Sequence, residues 1–219
     1  MNVLVIGSTG GTGRALVQAL LDAGHGVTAF ARAASPEPPF PDGVRLVQGN
    51  ALAPADLDRA VPGHDAVVVS LGLGPNPLVI RFGIGRTSPL DVASRGTANV
   101  LAAMERHGVR RLAVVSAFGT AESWATLPAA VKAFMWLFLK PSFDDKAVQE
   151  AAVRQSDTDW TILRPVQLTN GPATGRVSAS LDGEVTGAPI SRADVAAYAV
   201  RTLADAGVEG QTVALSGPA

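Results

Sequence analysis

The sequence predicts an α/β protein: a doubly wound, mostly parallel sheet of about seven strands with helices on both faces. Three observations predict it. Strand-length apolar runs alternate with segments of helical spacing, those runs are apolar on both faces, and the first of them ends in a glycine-rich loop that opens a helix. With 219 residues, 47% hydrophobic and 17% charged, the chain fits a single domain with a generous core. No linker divides it, so residues 1–219 are expected to fold as one unit with small C-terminal loops on the ligand side.

Val3 to Ile6 is the first strand and stops at Gly7. Arg14 to Ala23 is helical because Leu16, Val17, Leu20 and Leu21 share one face, and Gly24 closes it. Val27 to Ala31 and Val44 to Val47 are the next strands, and the Pro-rich Ser35 to Pro41 between them is too short for a domain linker. Pro54 to Ala60 is a short helix with Pro at its start, and Ala66 to Val69 the fourth strand. Leu90 to His107 is a long helix stopped by Gly108, followed by the fifth strand, Leu112 to Val115. Ala129 to Leu139 is the most apolar stretch, interrupted by Lys132 and about half the length of a membrane span. It reads as a substrate lid, a dimer face or core. Core is the expectation, with Phe134, Trp136 and Phe138 packed inward. Asp144 to Gln155 is a helix, Trp160 to Leu163 a strand, Arg192 to Leu203 a late helix and Thr212 to Leu215 the last strand.

Right-handed crossovers place ligands at the carboxyl ends of such strands, where their order reverses. The segments left without regular structure fall there: Leu71 to Pro89, Ser116 to Pro128 and Pro165 to Gly187. Eighteen Lys and Arg against nineteen Asp and Glu give a net charge of −1 with no basic face, so a nucleic-acid partner is not expected. No cysteine is present, which excludes disulfides, thiolate chemistry and Cys-based zinc sites. His25, His64 and His107 never pair at metal-ligand spacing and are expected on the surface. With no leader ahead of the first strand, the expectation is a cytoplasmic protein, without metal or membrane partner, as a monomer or small homo-oligomer.

The strongest motif is Gly7-Ser8-Thr9-Gly10-Gly11-Thr12-Gly13, at the strand-to-helix turn of a βαβ unit. Gly7 permits the tight turn, Gly10 lets the backbone approach a pyrophosphate, and Gly13 allows close helix–strand packing. The helix N-terminus offers free N–H groups to phosphate, and Ser8, Thr9 and Thr12 can add hydroxyls. This is the dinucleotide site of a Rossmann fold. The second strand ends Ala29-Phe30-Ala31-Arg32, where an NAD site normally has an acid. No acid appears before Glu37, and Arg32 suits a ribose 2′-phosphate, so NADP(H) is favoured over NAD(H). Arg14 adds positive charge beside the loop, or is a solvated arginine. Asn50, with Ala51, lies beside the expected adenine and either hydrogen-bonds its edge or forms a turn.

These motifs, with Leu71-Gly72, Ser116-Ala117-Phe118, Asp145-Lys146, Trp160 to Pro165, Leu181 to Gly183 and Ile190 to Val195, resemble the atypical short-chain dehydrogenase/reductases. Within them the chain resembles the NAD(P)H-binding, NmrA-like group and its biliverdin and flavin reductases. The resemblance implies an NADPH-dependent oxidoreductase. It also implies that Leu71 and Gly72 touch the cofactor, that Pro165, Val166 and Leu168 pass beside the nicotinamide, and that Lys146 holds its ribose. Lys146 is otherwise a solvated lysine paired with Glu150. The usual catalytic Tyr-x-x-x-Lys reads Ser142 to Lys146 here, and the lone Tyr198 lies elsewhere. Serine is a poor acid for a simple ketone, so the expected acceptor is planar and conjugated: a flavin, tetrapyrrole or quinone that spreads charge and takes its proton from water. Ser116, at a strand end, is the residue expected to position reactants. Gln167, Phe118 and Trp124 are candidates to touch substrate, and Arg81 and Arg86 to meet an anionic group or simply lie at the surface. The lost tyrosine equally fits a non-catalytic, NADP(H)-binding redox sensor of the NmrA-like type. A sugar-nucleotide epimerase is disfavoured, because the chain lacks the C-terminal region such enzymes use.

Overall fold

The computed structural model describes residues 1–33, 39–73, 83 and 87–218. Arg81, Arg86, Glu37 and much of the Pro-rich stretch therefore lie outside the described residues. The strands are β1 Asn2–Ile6, β2 Gly26–Ala31, β3 Val44–Gln48, β4 Ala66–Val69, β5 Arg111–Val115, β6 Asp159–Pro165, β7 Leu168–Thr169, β8 Ser178–Ser180, β9 Ile190–Ser191 and β10 Gln211–Ser216. Among the described residues the helices are α1 Gly11–Asp22, α2 Pro54–Ala60, α3 Val92–His107, α4 Ala129–Phe138, α5 Lys140–Arg154 and α6 Arg192–Thr202.

The main sheet has eight strands in the order β3-β2-β1-β4-β5-β6-β10-β8, one more than expected. The extra strand is β8, antiparallel to β10, while the other neighbours run parallel. β8 reads Ser-Ala-Ser and has no apolar run to signal it. β7 and β9 form a separate two-stranded ribbon. Strand order reverses between β1 and β4, which fixes where the carboxyl-end crevice opens.

Alternate residues of each strand feed two separate cores. Val3 and Val5 of β1 pack with Leu16 and Leu20 of α1 and Val195 and Ala199 of α6. Leu4 and Ile6 pack on the other face with Leu57 of α2, Val100 and Met104 of α3, and Val153 of α5. Burial on both faces explains why the strands read as continuous apolar runs. Each such side chain contributes about 1.5–3 kcal/mol through burial.

Two boundaries move toward the site. α1 starts at Gly11, inside the glycine loop, and α5 starts at Lys140, which puts Ser142 and Phe143 on a helix. His64 is half-buried rather than superficial, bridging Val61 O (3.1 Å) and Thr28 Oγ1 (2.8 Å). Among the described residues no His, Asp or Glu cluster could hold a metal, and no helix is long and apolar enough to cross a membrane.

Candidate cofactor and acceptor site

The glycine loop is shaped by close approach. Gly7 takes φ +83°, and a Cβ there would lie 2.4 Å from Ser70 O at the end of β4. A Cβ on Gly13 would lie 2.1 Å from Gly7 O, so α1 meets β1 only with glycine at that position. Gly10 is the N-cap of α1, with no side-chain cap and no acid in the first turn. The N–H groups there stay available to an anion. Ser8 cannot contribute as expected, since its buried hydroxyl donates to Phe30 O (2.9 Å). Thr9 lines a smaller cavity on the β2 side and Thr12 a larger one on the β5 side.

The smaller cavity, about 520 Å³, is walled by Arg32, Asn50, Ala51, Leu71 and Gly72. Exposed Arg32 donates to Thr87 O (2.7 Å), which holds its guanidinium at the rim. Asn50 forms a turn: its Oδ1 accepts from Leu52 N (3.0 Å), and its own N–H donates to Asp56 (2.8 Å). Its side-chain carbonyl is thus engaged locally rather than free for an adenine. Arg14 lines neither cavity and stacks instead over Phe40, 5.0 Å from the ring centroid.

The larger cavity, about 1590 Å³, runs from Gly10, Gly11 and Thr12 past the ends of β5 and β6. Ser116, Phe118, Lys146, Pro165, Val166, Gln167 and Leu168 all line it. Ser116 is 4% exposed, and its Oγ has no hydrogen-bond partner among the described residues. A buried hydroxyl left so costs about 1–3 kcal/mol unless a ligand or water engages it. Phe118 N donates to Pro165 O (2.9 Å), tying the two strand-end loops together. Trp124, the last residue of the 3₁₀ turn Ala121–Trp124, is not part of the cavity wall.

Lys146 is neither solvated nor paired with Glu150. Its Nζ donates to Val115 O (3.2 Å), one residue from Ser116. Burial pushes its pKa down to about 8, against the pull of Glu150 and Asp145. Glu150 is instead fully buried and grips Arg164, whose Nε reaches Oε1 at 3.0 Å. Arg164 Nη1 also donates to Glu122 (2.7 Å). Burial lowers the Arg164 pKa, but the two carboxylates outweigh it and raise it overall.

Three further features were not expected from the sequence. α4 is not core: Met135 is its one buried residue, while Phe134 and Trp136 are 50% and 62% exposed. Arg192, at the start of α6, lies against Gly11, where a Cβ would sit 3.0 Å from its Nε, and Nη1 donates to Asn170 Oδ1 (2.6 Å). It brings a cation to the open end of α1. The signal for it was Ser191-x-x-Asp194, a helix start that places Arg192 in the first turn. Asp145 is buried and accepts from Ala93 N and Ser94 N (2.9 Å each), capping α3 from a neighbouring helix.

A reversed strand order, a cramped glycine turn and an uncapped first helix define a dinucleotide-binding protein of the Rossmann type. A family model described as NAD(P)H-binding matches residues 7–206, and the chain belongs to that family. The NAD(P)H-binding family that the motifs implied is thereby shown, with reductases among its members' relatives. The chain is 32% identical, over 228 aligned positions, to the (4-alkanoyl-5-oxo-2,5-dihydrofuran-3-yl)methyl phosphate reductase of Streptomyces griseus, covering 99% of this chain and 68% of that protein. In fold it is similar to ChuY, an anaerobilin reductase from Escherichia coli O157:H7 (TM-score 0.78, 23% identity, 100% and 98% of the two chains). It is equally similar in fold to a Veillonella parvula short-chain dehydrogenase/reductase solved with NADP (TM-score 0.78, 20% identity, 99% and 94%).

Proposed function

We propose that this protein is an NADPH-dependent reductase of a planar, conjugated acceptor such as a flavin, tetrapyrrole or quinone. The observation that carries the reading is the buried, unpartnered Ser116 hydroxyl in a cavity that continues from the glycine loop. At about 1590 Å³ that cavity exceeds the roughly 300–1,000 Å³ of a single small-molecule site, leaving room for an acceptor beside a nicotinamide. The residues fit the cofactor: a cradle that side chains would fill, an open helix end, and Arg192 beside it as a counter-charge for the pyrophosphate. Arg32 at the rim of the smaller cavity is placed for a 2′-phosphate, which favours NADP(H).

A bound nicotinamide supplies a hydride, which the acceptor takes together with one proton from water while the cofactor leaves oxidised. Lys146 would hold the nicotinamide ribose, and Ser116 would donate to the acceptor or the carboxamide. Ser142 lines the cavity where a tyrosine acid would stand, and its hydroxyl is too weak an acid to replace one. A conjugated acceptor needs no such acid. The streptomycete relative, whose name describes an unsaturated oxo-furan ring, is in keeping with that chemistry.

The test is NADPH oxidation with a panel of free FMN, a bilin and a benzoquinone. Turnover well above the uncatalysed rate with at least one acceptor is expected, falling roughly tenfold in Ser116→Ala, the worth of about 1.4 kcal/mol. Arg32→Ala should weaken NADPH about tenfold and leave NADH unaffected, as for loss of one charge-assisted contact. No turnover across the panel would remove the reading.

A further inference from the structure

The unassigned feature is the wall that α4 and the start of α5 give the larger cavity. Val131, Met135, Leu139 and Phe143 recur every four residues and all line it, with Leu127 and Phe134 beside them. Along this stripe Val131 is exposed, Met135 buried, and Leu139 and Phe143 half-buried. Val131 and Phe134, at the N-terminal end, are 41% and 50% exposed, while Ser116 on the same cavity wall is at 4%. Val131, Phe134, Trp136 and Leu137 make α4 the largest concentration of exposed bulky apolar residues among the described residues. Two of the four, Val131 and Phe134, belong to the cavity wall and two do not. From Val131 to Phe143 the stripe spans at most about 18 Å at a helical rise of 1.5 Å per residue. That is longer than a planar ring system needs. The charged side chains on the segment 182–187, which also lines the cavity, are Asp182 and Glu184, unsuited to carboxylate tails.

We infer that the acceptor carries an aliphatic chain, alkyl or prenyl, which lies along the Val131–Met135–Leu139–Phe143 stripe with its reducible head toward Ser116. The inference rests on the reductase reading for the head, but the chain is recognised by the stripe alone. Covering half-exposed Val131 and Phe134 with methylenes removes apolar surface on both partners from water. The stripe is continuous with the cofactor cleft, which is why the occupant is part of a small molecule rather than another protein.

The probe is a set of alkyl-1,4-benzoquinones with methyl, butyl, octyl and dodecyl chains, bound to the NADP⁺-loaded protein and followed by calorimetry. No reduction can occur in that state, so affinity is read independently of turnover. The expected result is a Kd that tightens by roughly two- to fourfold per added methylene, the upper value matching full burial at about 0.8 kcal/mol each, until the chain reaches the rim. Phe134→Ser and Val131→Ser should bring that plateau to shorter chains. Trp136→Ser, on the same helix but off the wall, should leave the series as it is. All three substitution sites are solvent-facing, and NADP⁺ binding reports that the variants fold. A Kd independent of chain length overturns the inference. So does an equal response of Phe134→Ser and Trp136→Ser, or a dimer that Phe134→Ser dissolves while the series stays flat. Absence of NADPH turnover across the whole panel of flavin, bilin and quinone, while affinity still climbs with chain length, would instead remove the reductase reading and keep the chain site.

Discussion

Two helix N-termini on opposite faces of the sheet are finished in opposite ways. α1 begins at a glycine, with no capping side chain and no acid in its first turn. α3 is closed by a carboxylate delivered from α5, with Asp145 taking the Ala93 and Ser94 N–H groups. α6 is closed too: the Ser191 hydroxyl accepts from Asp194 N and donates to the Asp194 carboxylate. A helix end with free N–H groups and positive dipole is a poor thing to leave bare, so most are satisfied from within the chain. The difference teaches that α1 is kept open for an anion from outside, and that the protein forgoes stability there to do so.

The sharpest way to break this comparison is to close α1. Gly10 sits at φ −70° and ψ 163°, and a Cβ there meets only Gly7 O at 3.5 Å, so an aspartate fits. Gly10→Asp should weaken NADPH by about a hundredfold or more through charge repulsion and occupied N–H groups, while stabilising the free protein by about 1 kcal/mol. Titration calorimetry and thermal melts read the two effects, and their opposite signs are the point. Opening α3 is the converse and the next largest effect. Asp145→Ala orphans two buried N–H groups and should cost about 2 kcal/mol in urea unfolding; a change below about 0.5 kcal/mol would mean the cap is ornamental.

The smallest effect comes from Lys146, one residue after that cap. Its pKa of about 8 leaves it charged at neutral pH. NADPH affinity should therefore fall about fivefold as pH rises through 8, and Lys146→Arg should move that break out of range. The sign for stability is the reverse. The folded state holds fewer protons than the unfolded one between about 8 and 10.5, so this lysine makes the protein more stable as pH climbs through that window.

The cofactor half was legible because consecutive residues encode it. Gly7, Gly10 and Gly13 determine a backbone path, and a backbone path is what meets a pyrophosphate. The acceptor half is assembled from side chains far apart in sequence, such as Ser116, Phe143 and Val166, whose meeting no local spacing announces. α4 misled for a related reason. A run apolar on nearly every side has no polar face to say which way it points, and inward was the wrong answer for Phe134 and Trp136. The Arg164–Glu150 pair escaped because its partners sit on a strand and a helix and lack the i,i+4 spacing that exposes helical pairs.

Glu122 ends up acting as a rivet for the loop that begins at Ser116. Arg164 holds its carboxyl down to a pKa of about 2. The stabilisation it adds is complete above about pH 4.5 and is lost progressively as pH falls from there through about 2. Acidification that stops above about pH 4.5 therefore leaves this fastening in place. Concentrated salt is the agent that slackens it, because the carboxylate faces solvent even though the guanidinium beneath it does not.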